Sequence, residues 1–176
     1  MKKVITSFGS AFINENEPLY SEITDIGKYI AEAGYTICSG GYSGSMEAIS
    51  KGAKSAGGKT IGVTVKGWKA APNDFIDETV EMPNLMERMV ELIGIADAYV
   101  IFKGGTGTLV EISVALELMN KRSMPEKKMI FYTDFWKDMI EILKQDSPKL
   151  KDMINRNVIF IREAGELKNI LKQIPS

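Results

Sequence analysis

The segment VIFKGGTGTLVEIS, residues 100–113, places a glycine-rich loop directly between an apolar run and an amphipathic run. Residues 98–102 are apolar on both sides, which predicts a buried strand, and the spacing after the loop predicts a helix that ends near Asn120. Glycines lack a Cβ atom, so the backbone can turn sharply there and a ligand can approach it closely. A strand that passes through such a loop into a helix is one unit of an α/β fold.

The rest of the chain repeats this alternation of short apolar runs with longer amphipathic runs. Seven strands are predicted, at residues 4–7, 35–38, 60–65, 79–82, 98–102, 128–132 and 158–161. Six further helices are predicted, at about residues 18–33, 45–57, 85–96, 135–144, 148–154 and 163–173, and Asn84 is the expected N-cap of the helix at 85–96. Strands that alternate with helices indicate right-handed crossovers. The sequence therefore predicts a single domain over residues 1–176, a doubly wound, Rossmann-like parallel sheet with helices on both faces.

The composition restricts the possible chemistry. Lysine and arginine total 22 and acidic residues 23, so no basic surplus favours nucleic acid or an anionic membrane surface. No apolar run approaches the roughly 20 residues of a membrane span, and residues 4–7 are typical of a strand rather than of a signal peptide. Histidine is absent and Cys38 is the single cysteine, which excludes histidine-based nucleophiles and cysteine- or histidine-built metal sites. We expect a cytoplasmic protein without a metal or cofactor.

The loop at residues 104–108 has the features of a phosphate site. The helix after it directs unpaired N–H groups and the positive end of its dipole at the loop, and Thr106 and Thr108 add hydroxyl groups. A tight turn without a ligand is the alternative interpretation. No GK[ST] follows the loop, and Gly9 is the single glycine of the first strand–helix turn, so neither nucleotide-binding fingerprint is present. A nucleoside monophosphate or similar phosphate ester fits best.

Two charged residues flank this loop, and each has two interpretations. Glu111 follows Thr108 by three positions, which matches a helix capping box, but a carboxylate beside a phosphate site is also a candidate for catalysis. Arg88 lies on the first or second turn of a helix whose start should share a sheet edge with the loop, although it is also typical of a solvated helix arginine paired with Glu87 or Glu91.

Three motifs together resemble the Lonely guy (LOG) family of cytokinin riboside 5′-monophosphate phosphoribohydrolases, some of which carry the label "lysine decarboxylase". The family signature P-G-G-x-G-T-x-x-E appears at residues 103–111. The family's Met-x-x-Arg-Lys stretch corresponds to Leu85-Met86-Glu87-Arg88-Met89, and its Gly-Gly-x-x-Gly-x-Met loop appears at residues 40–46. The chain departs from the pattern at Lys103, Met89 and Val110, which replace a proline, a lysine and a glutamate.

The resemblance implies hydrolysis of the N-glycosidic bond of AMP or an N6-substituted AMP, to free base and ribose 5-phosphate. Arg88 and Glu111 are then the expected catalytic residues. The expected phosphate- and nucleotide-binding residues are Ser10, Gly40, Gly41, Met86, Gly104, Gly105, Thr106, Gly107 and Thr108. The alternative is a binding protein without catalysis, similar to molybdenum-cofactor carriers.

The helix after the loop carries two apolar stripes. Leu109, Ile112, Leu116 and Met119 form one, and Val110, Val114 and Leu118 form the other. A surface helix needs only one such stripe, so the second predicts cover by a partner subunit, in a homodimer. The same region forms the dimer in the LOG family, while burial by the C-terminal elements of the chain is the alternative.

Overall fold

The computed structural model describes residues 3–174 and shows one sheet with seven strands in the order β4-β3-β2-β1-β5-β6-β7. Every neighbouring pair of these strands is parallel. The strands are β1 (Val4–Phe8), β2 (Thr36–Ser39), β3 (Thr60–Val65), β4 (Glu78–Met82), β5 (Ala98–Ile101), β6 (Lys128–Tyr132) and β7 (Val158–Ile161). The Rossmann-like α/β fold predicted from the sequence is confirmed.

The helices of residues 3–174 lie between these strands and after the last one. They are α1 (Pro18–Glu32), α2 (Ser45–Ser55), α3 (Leu85–Gly94), α4 (Thr106–Asn120), α5 (Lys137–Leu143), α6 (Pro148–Asn157) and α7 (Leu167–Leu171), with a 3₁₀ turn at Ala164–Glu166. Each matches a predicted helix within a few residues, except that the last one divides into the 3₁₀ turn and α7. None of these helices is long and apolar enough to cross a membrane.

The core consists of two apolar layers, one on each face of the sheet. On β1, Val4 and Phe8 join the layer beneath α3 and α4, and Ile5 joins the layer beneath α1 and α2. Every residue of β5 is buried, as expected for a central parallel strand covered on both faces. The sheet is therefore a rigid base for the loops at its edges.

The loops after β1, β2 and β5 meet at the carboxyl edge of the sheet, where the strand order reverses around β1. The Ser10 amide donates to the Lys103 carbonyl at 3.1 Å, and the Ser10 carbonyl accepts from the Ser45 amide at 2.9 Å. These backbone bonds tie the turn after β1 to the glycine loop on one side and to the start of α2 on the other. Ligands bind at such a switch point in open α/β sheets.

The two stripes of α4 are covered to different extents. Ile112, Leu116 and Met119 are buried, whereas Leu109, the fourth member of the same stripe, is exposed. Val110 of the second stripe is exposed, while Val114 and Leu118 pack partly against the core. The chain's own elements therefore cover the second stripe only in part.

Candidate active site

Arg88 is a buried arginine at the end of the first turn of α3. Asn84 caps this helix by accepting a hydrogen bond from the Glu87 amide at 3.0 Å, as the sequence predicted. Arg88 is only 8% exposed, and its Nε donates to the Val63 carbonyl of β3 at 2.7 Å. The alternative of a solvated helix arginine is therefore wrong, because the side chain turns inward under the sheet edge.

The guanidinium of Arg88 lies between the loop after β2 and two aromatic rings. A Cβ atom added to Gly40 would collide with Nη2 of Arg88 and with Sδ of Met46, so the ends of both side chains would have to move. The guanidinium carbon is 5.6 Å from the centre of the Tyr42 ring and 5.9 Å from that of Trp68. Ring faces attract a cation, so this environment stabilises a buried positive charge.

Glu111 lies in the second turn of α4 and does not cap it. The helix begins at Thr106, with Gly105 as its N-cap and no capping side chain. The capping-box interpretation is therefore wrong, since Thr108 already lies inside the first turn. Burial raises the pKa of the Glu111 carboxyl to about 7, although the positive charge of Arg88 lowers it. Near neutral pH this carboxyl is able both to accept and to release a proton.

One cavity of about 230 Å³ between α3 and α4 holds both charged residues. It is lined by Leu85, Met86, Arg88, Met89, Thr106, Gly107, Val110 and Glu111. The structure thus brings together five of the residues predicted for the site, namely Met86, Arg88, Thr106, Gly107 and Glu111. Leu85, Met89 and Val110 make one side of the cavity apolar, and the last two are positions where the chain departs from the LOG pattern.

The glycine loop presents the start of α4 to this cavity. The first amides of a helix, here those of Thr106, Gly107 and Thr108, have no partner inside the helix. A Cβ atom added to Gly105 or Gly107 would meet no atom within 4 Å, so both glycines face open space. The Thr108 side chain is instead buried, and its hydroxyl packs against Gly104.

Three predicted binding residues lie beside this cavity rather than in it. The Ser10 hydroxyl accepts a hydrogen bond from the Phe12 amide at 3.1 Å. Gly40 packs on Arg88. Gly41 has a φ of +77°, and its carbonyl accepts from the Asn73 amide at 2.8 Å and from Nδ2 of Asn73 at 3.0 Å. These contacts give Gly40 and Gly41 a role in shaping the site, and their contact with a nucleotide stays a prediction.

Lys103 directly precedes the glycine loop and lies on its outer side. Its Nζ lies 3.7 Å from Oε2 of Glu17, the residue before α1. Both side chains are exposed enough for water to screen the pair, so the ion pair contributes little to stability. It does place a positive charge beside the loop, where the family pattern has a neutral proline.

The sequence did not indicate three residues that the structure places at the site. Leu85 lines the cavity, and Tyr42 and Trp68 contact Arg88. Tyr42 lies inside the Gly-Gly-x-x-Gly-x-Met stretch at residues 40–46, where an aromatic side chain among glycines was the available signal. Trp68 lies in the connection between β3 and β4, which has no periodic pattern.

A larger cavity, of about 690 Å³, lies at the opposite edge of the sheet, between the end of α1 and α7. Its lining includes Tyr29, Gly34, Tyr35 and Lys168. Nζ of Lys168 is 3.8 Å from the centre of the Tyr29 ring, so this lysine already has a partner. Arg88, Glu111 and the glycine loop are all remote from this cavity.

The chain is similar in sequence to a family of known proteins and to several individual proteins. A family model described as the SLOG cluster4 family matches residues 2–158. A pyrimidine/purine nucleotide 5′-monophosphate nucleosidase of Escherichia coli (strain K12) is 32% identical over 125 residues, which are 66% of this chain and 27% of that protein. A cytokinin riboside 5′-monophosphate phosphoribohydrolase of Mycobacterium tuberculosis (strain H37Rv) is 29% identical over 102 residues, which are 54% of each chain. The resemblance to the LOG family is thereby confirmed.

These relatives are longer than the matched segment, since the chain spans about a quarter of the first and about half of the second. Among solved structures, the molybdenum cofactor binding protein from Rippkaea orientalis has a TM-score of 0.78 at 23% identity, and the match covers 99% of this chain and 98% of that one. At this identity the likeness concerns the fold.

Proposed function

The chain belongs to the SLOG cluster4 family, and we propose that it hydrolyses the N-glycosidic bond of nucleoside 5′-monophosphates to free base and ribose 5-phosphate. One observation carries this proposal. A buried arginine, Arg88, and a half-buried glutamate, Glu111, share a small cavity beside the unpaired amides that begin α4. The curated relatives named for the same reaction support it.

The substrate phosphate binds at the start of α4. The amides of Thr106, Gly107 and Thr108 and the positive end of the helix dipole attract an anion there. The open space above Gly105 and Gly107 leaves room for a phosphate group. Lys103 adds a positive charge at the outer side of the loop. The phosphate fixes the distance of the ribose from Glu111, which is one helical turn further along α4.

Glu111 acts on the ribose. Departure of the base breaks the bond between C1′ and nitrogen and leaves positive charge on the sugar, as in other glycoside hydrolyses. The ionised carboxylate stabilises this charge and accepts a proton from the water that attacks C1′. A new bond between C1′ and the water oxygen forms, the departing base takes up a proton from solvent, and Glu111 then releases its own proton to solvent. A carboxyl with a pKa of about 7 is suited to such proton transfer near neutral pH.

Arg88 holds the substrate from the other side of the cavity. Its Nε is committed to the Val63 carbonyl, while the remaining guanidinium donors lie near the cavity that Glu111 lines. They bind either the phosphate or the departing base. In both cases the positive charge also favours the ionised form of Glu111, which is the form that the reaction needs.

The apolar lining of the cavity supports AMP or an N6-substituted AMP as the substrate. Leu85, Met86, Met89 and Val110 offer contacts to a flat base or an apolar substituent rather than hydrogen bonds.

A carrier that binds a phosphate ester without cleaving it is the second candidate. The fold that the chain shares with the molybdenum cofactor binding protein of R. orientalis favours it. So do Met89 and Val110, which replace polar residues of the LOG pattern at the cavity wall.

Product analysis beside a binding assay separates the two candidates. Purified protein is incubated with a panel of nucleoside 5′-monophosphates, products are identified by mass spectrometry, and thermal shifts are recorded with the same compounds. Release of free base and ribose 5-phosphate, lost on Glu111→Gln, supports the hydrolase. Thermal stabilisation without product supports the carrier and contradicts the hydrolase.

We also propose that two copies of the chain associate through α3 and α4. Exposed apolar residues gather on these helices: Leu85, Met86, Val90, Leu109 and Val110. Three of them line the Arg88–Glu111 cavity, so a second copy seated on this surface would exclude water from the site. The cytoplasmic location and the absence of nucleic acid and membrane partners stay predictions.

A further inference from the structure

Two aromatic residues, Tyr42 and Trp68, lie beside Arg88, and neither is among the site residues that the sequence predicts. We propose that Tyr42 and Trp68 form an aromatic clamp that positions the Arg88 guanidinium toward the Arg88–Glu111 cavity. Trp68 is the outer ring of this clamp, and it can be substituted without disturbing the loop that contains Tyr42. The structural part of this proposal stands alone, while its kinetic consequence rests on the proposed hydrolysis.

The clamp is defined by three distances of similar size. The Tyr42 and Trp68 rings stack with centroids 5.7 Å apart and an interplanar angle of 26°. The guanidinium carbon of Arg88 is 5.6 Å from one ring centre and 5.9 Å from the other. The cation therefore lies within cation–π distance of both rings rather than of a single ring.

The inner ring is held firmly by the sheet. Tyr42 is 7% exposed, and its hydroxyl oxygen accepts a hydrogen bond from the Val65 amide at 3.2 Å. Nδ2 of Asn73 donates to the Tyr42 carbonyl at 2.7 Å. Tyr42 thus has bonds at both its backbone and its side chain, and a substitution there would disturb the loop as well as Arg88.

The outer ring lies on an exposed segment. Trp68 is 48% exposed, and its backbone is linked to β3 through the bond from its amide to the Val65 carbonyl at 3.3 Å. Its neighbours from Lys66 to Pro72 are all exposed. A large aromatic side chain in such a segment gains little from core packing, so its stacking on Tyr42 and Arg88 is the principal contact that the structure gives it.

Arg88 needs this support because a single hydrogen bond leaves its end free to rotate. The bond from Nε to the Val63 carbonyl fixes one edge of the guanidinium. Gly40 limits the position of Nη2 on one side. The aromatic stack closes another side, so the three contacts together leave the plane of the group little freedom. Small displacements of a positioned group lower catalytic rates steeply.

The first test observes Arg88 directly. The Nε–H of an arginine held by a buried carbonyl gives an NMR signal that exchanges slowly with water, and Arg88→Lys assigns it by its disappearance. Wild type is compared with Trp68→Ala, with the conservative variant Trp68→Phe, and with Lys69→Ala, a neighbouring exposed residue of the same segment. Thermal unfolding of each variant confirms that it is folded.

We expect the Arg88 signal to exchange about tenfold faster or to vanish in Trp68→Ala, and to persist in Trp68→Phe and Lys69→Ala. An unchanged signal in Trp68→Ala overturns the clamp. Equal loss in Lys69→Ala also overturns it, because the effect would then belong to the segment rather than to the indole ring.

The second test measures turnover of AMP. Trp68→Ala is expected to lower kcat by about 10- to 100-fold with little change in KM, and Trp68→Phe to restore most of the rate. An unchanged kcat in a variant that has lost the Arg88 signal contradicts the positioning role. If wild type releases no product, the proposed hydrolysis fails, while the NMR result still decides whether the clamp exists.

Discussion

The positive charge of Arg88 lowers the pKa of the Glu111 carboxyl, while burial of that carboxyl raises its pKa to about 7. The two residues come from different helices, α3 and α4, and meet at one cavity. Burial has the larger effect, so a proton is held on Glu111 well above its ordinary pKa of 4.5. This balance has consequences for stability that are independent of any substrate.

The free energy of unfolding should depend on pH through the carboxyl of Glu111. The folded chain binds this proton more tightly than the unfolded chain between about pH 4.5 and pH 7, so ionisation of Glu111 lowers the free energy of unfolding as the pH rises through that range. Glu111→Gln removes the ionisation and should stabilise the protein by about 1–3 kcal/mol near pH 8, with little effect near pH 4. Urea denaturation at the two pH values measures the difference.

Glu117→Gln is the matched control, because Glu117 lies on the same helix with its side chain 57% exposed. Its effect on the free energy of unfolding should be small at both pH values. A Glu111→Gln effect that is equal at the two pH values would mean that Glu111 is not held in its protonated form by burial.

Because Gly40 packs on Arg88, a methyl group added at position 40 should lower both stability and turnover. Gly40→Ala places a Cβ atom where Nη2 of Arg88 lies, so either the arginine or the loop must move. We expect a loss of about 1–3 kcal/mol in the free energy of unfolding and a lower rate of nucleotide hydrolysis. Denaturation curves and initial rates measure the two effects.

Gly94→Ala serves as the control, because a Cβ atom at this helical position meets open space. It should be neutral or slightly stabilising, since alanine favours a helix more than glycine does. Equal behaviour of the two variants would show that Gly40 does not limit the position of Arg88.

The amides at the start of α4 predict a strong dependence on the substrate phosphate. AMP can bind these amides through its 5′-phosphate, whereas adenosine cannot. Because these hydrogen bonds are charge-assisted, we expect kcat/KM for adenosine to be at least about 100-fold lower than kcat/KM for AMP. Steady-state kinetics with both compounds provides the measurement, and equal values would remove the glycine loop from the substrate site.

The exposed apolar surface of α3 and α4 predicts a dimer. Val90 is 59% exposed on α3 and does not line the Arg88–Glu111 cavity, so Val90→Asp should weaken association without removing a cavity residue. Ile142→Asp is the matched control, because Ile142 is 65% exposed on α5. Light scattering after size-exclusion chromatography should show a dimer for wild type and Ile142→Asp and a monomer for Val90→Asp. A wild-type monomer at micromolar concentration would contradict the prediction.

Much of the fold follows from local patterns in the sequence. The runs at Thr60–Val65, Lys128–Tyr132 and Val158–Ile161 form strands with the predicted bounds, because each is a short run rich in β-branched or aromatic residues. Asn84 caps α3 as predicted, since this bond depends on residues only three positions apart.

The contacts within the site are harder to predict from the sequence than the fold, because they join residues that are far apart in the chain. The Val63 carbonyl that holds Arg88 belongs to the backbone, so no residue type reveals it. The sequence analysis places residues 104–108 in a loop, whereas α4 begins at Thr106. The difference arises because Gly105 and Gly107 are weak helix formers, although Gly105 is the N-cap and Gly107 lies in the first turn. Trp68 lies in an irregular connection, where spacing carries no information about contacts.

A bound nucleotide should place its phosphate on the amides of residues 106–108 and its ribose against the carboxyl of Glu111. A crystal structure of the Glu111→Gln variant with AMP would show this arrangement, because the variant should bind substrate without cleaving it. We expect phosphate oxygens within hydrogen-bonding distance of those amides, and C1′ facing the side chain at position 111 with Arg88 on the other side. A phosphate bound elsewhere, or a ribose turned away from position 111, would rule out the proposed roles of the glycine loop and Glu111.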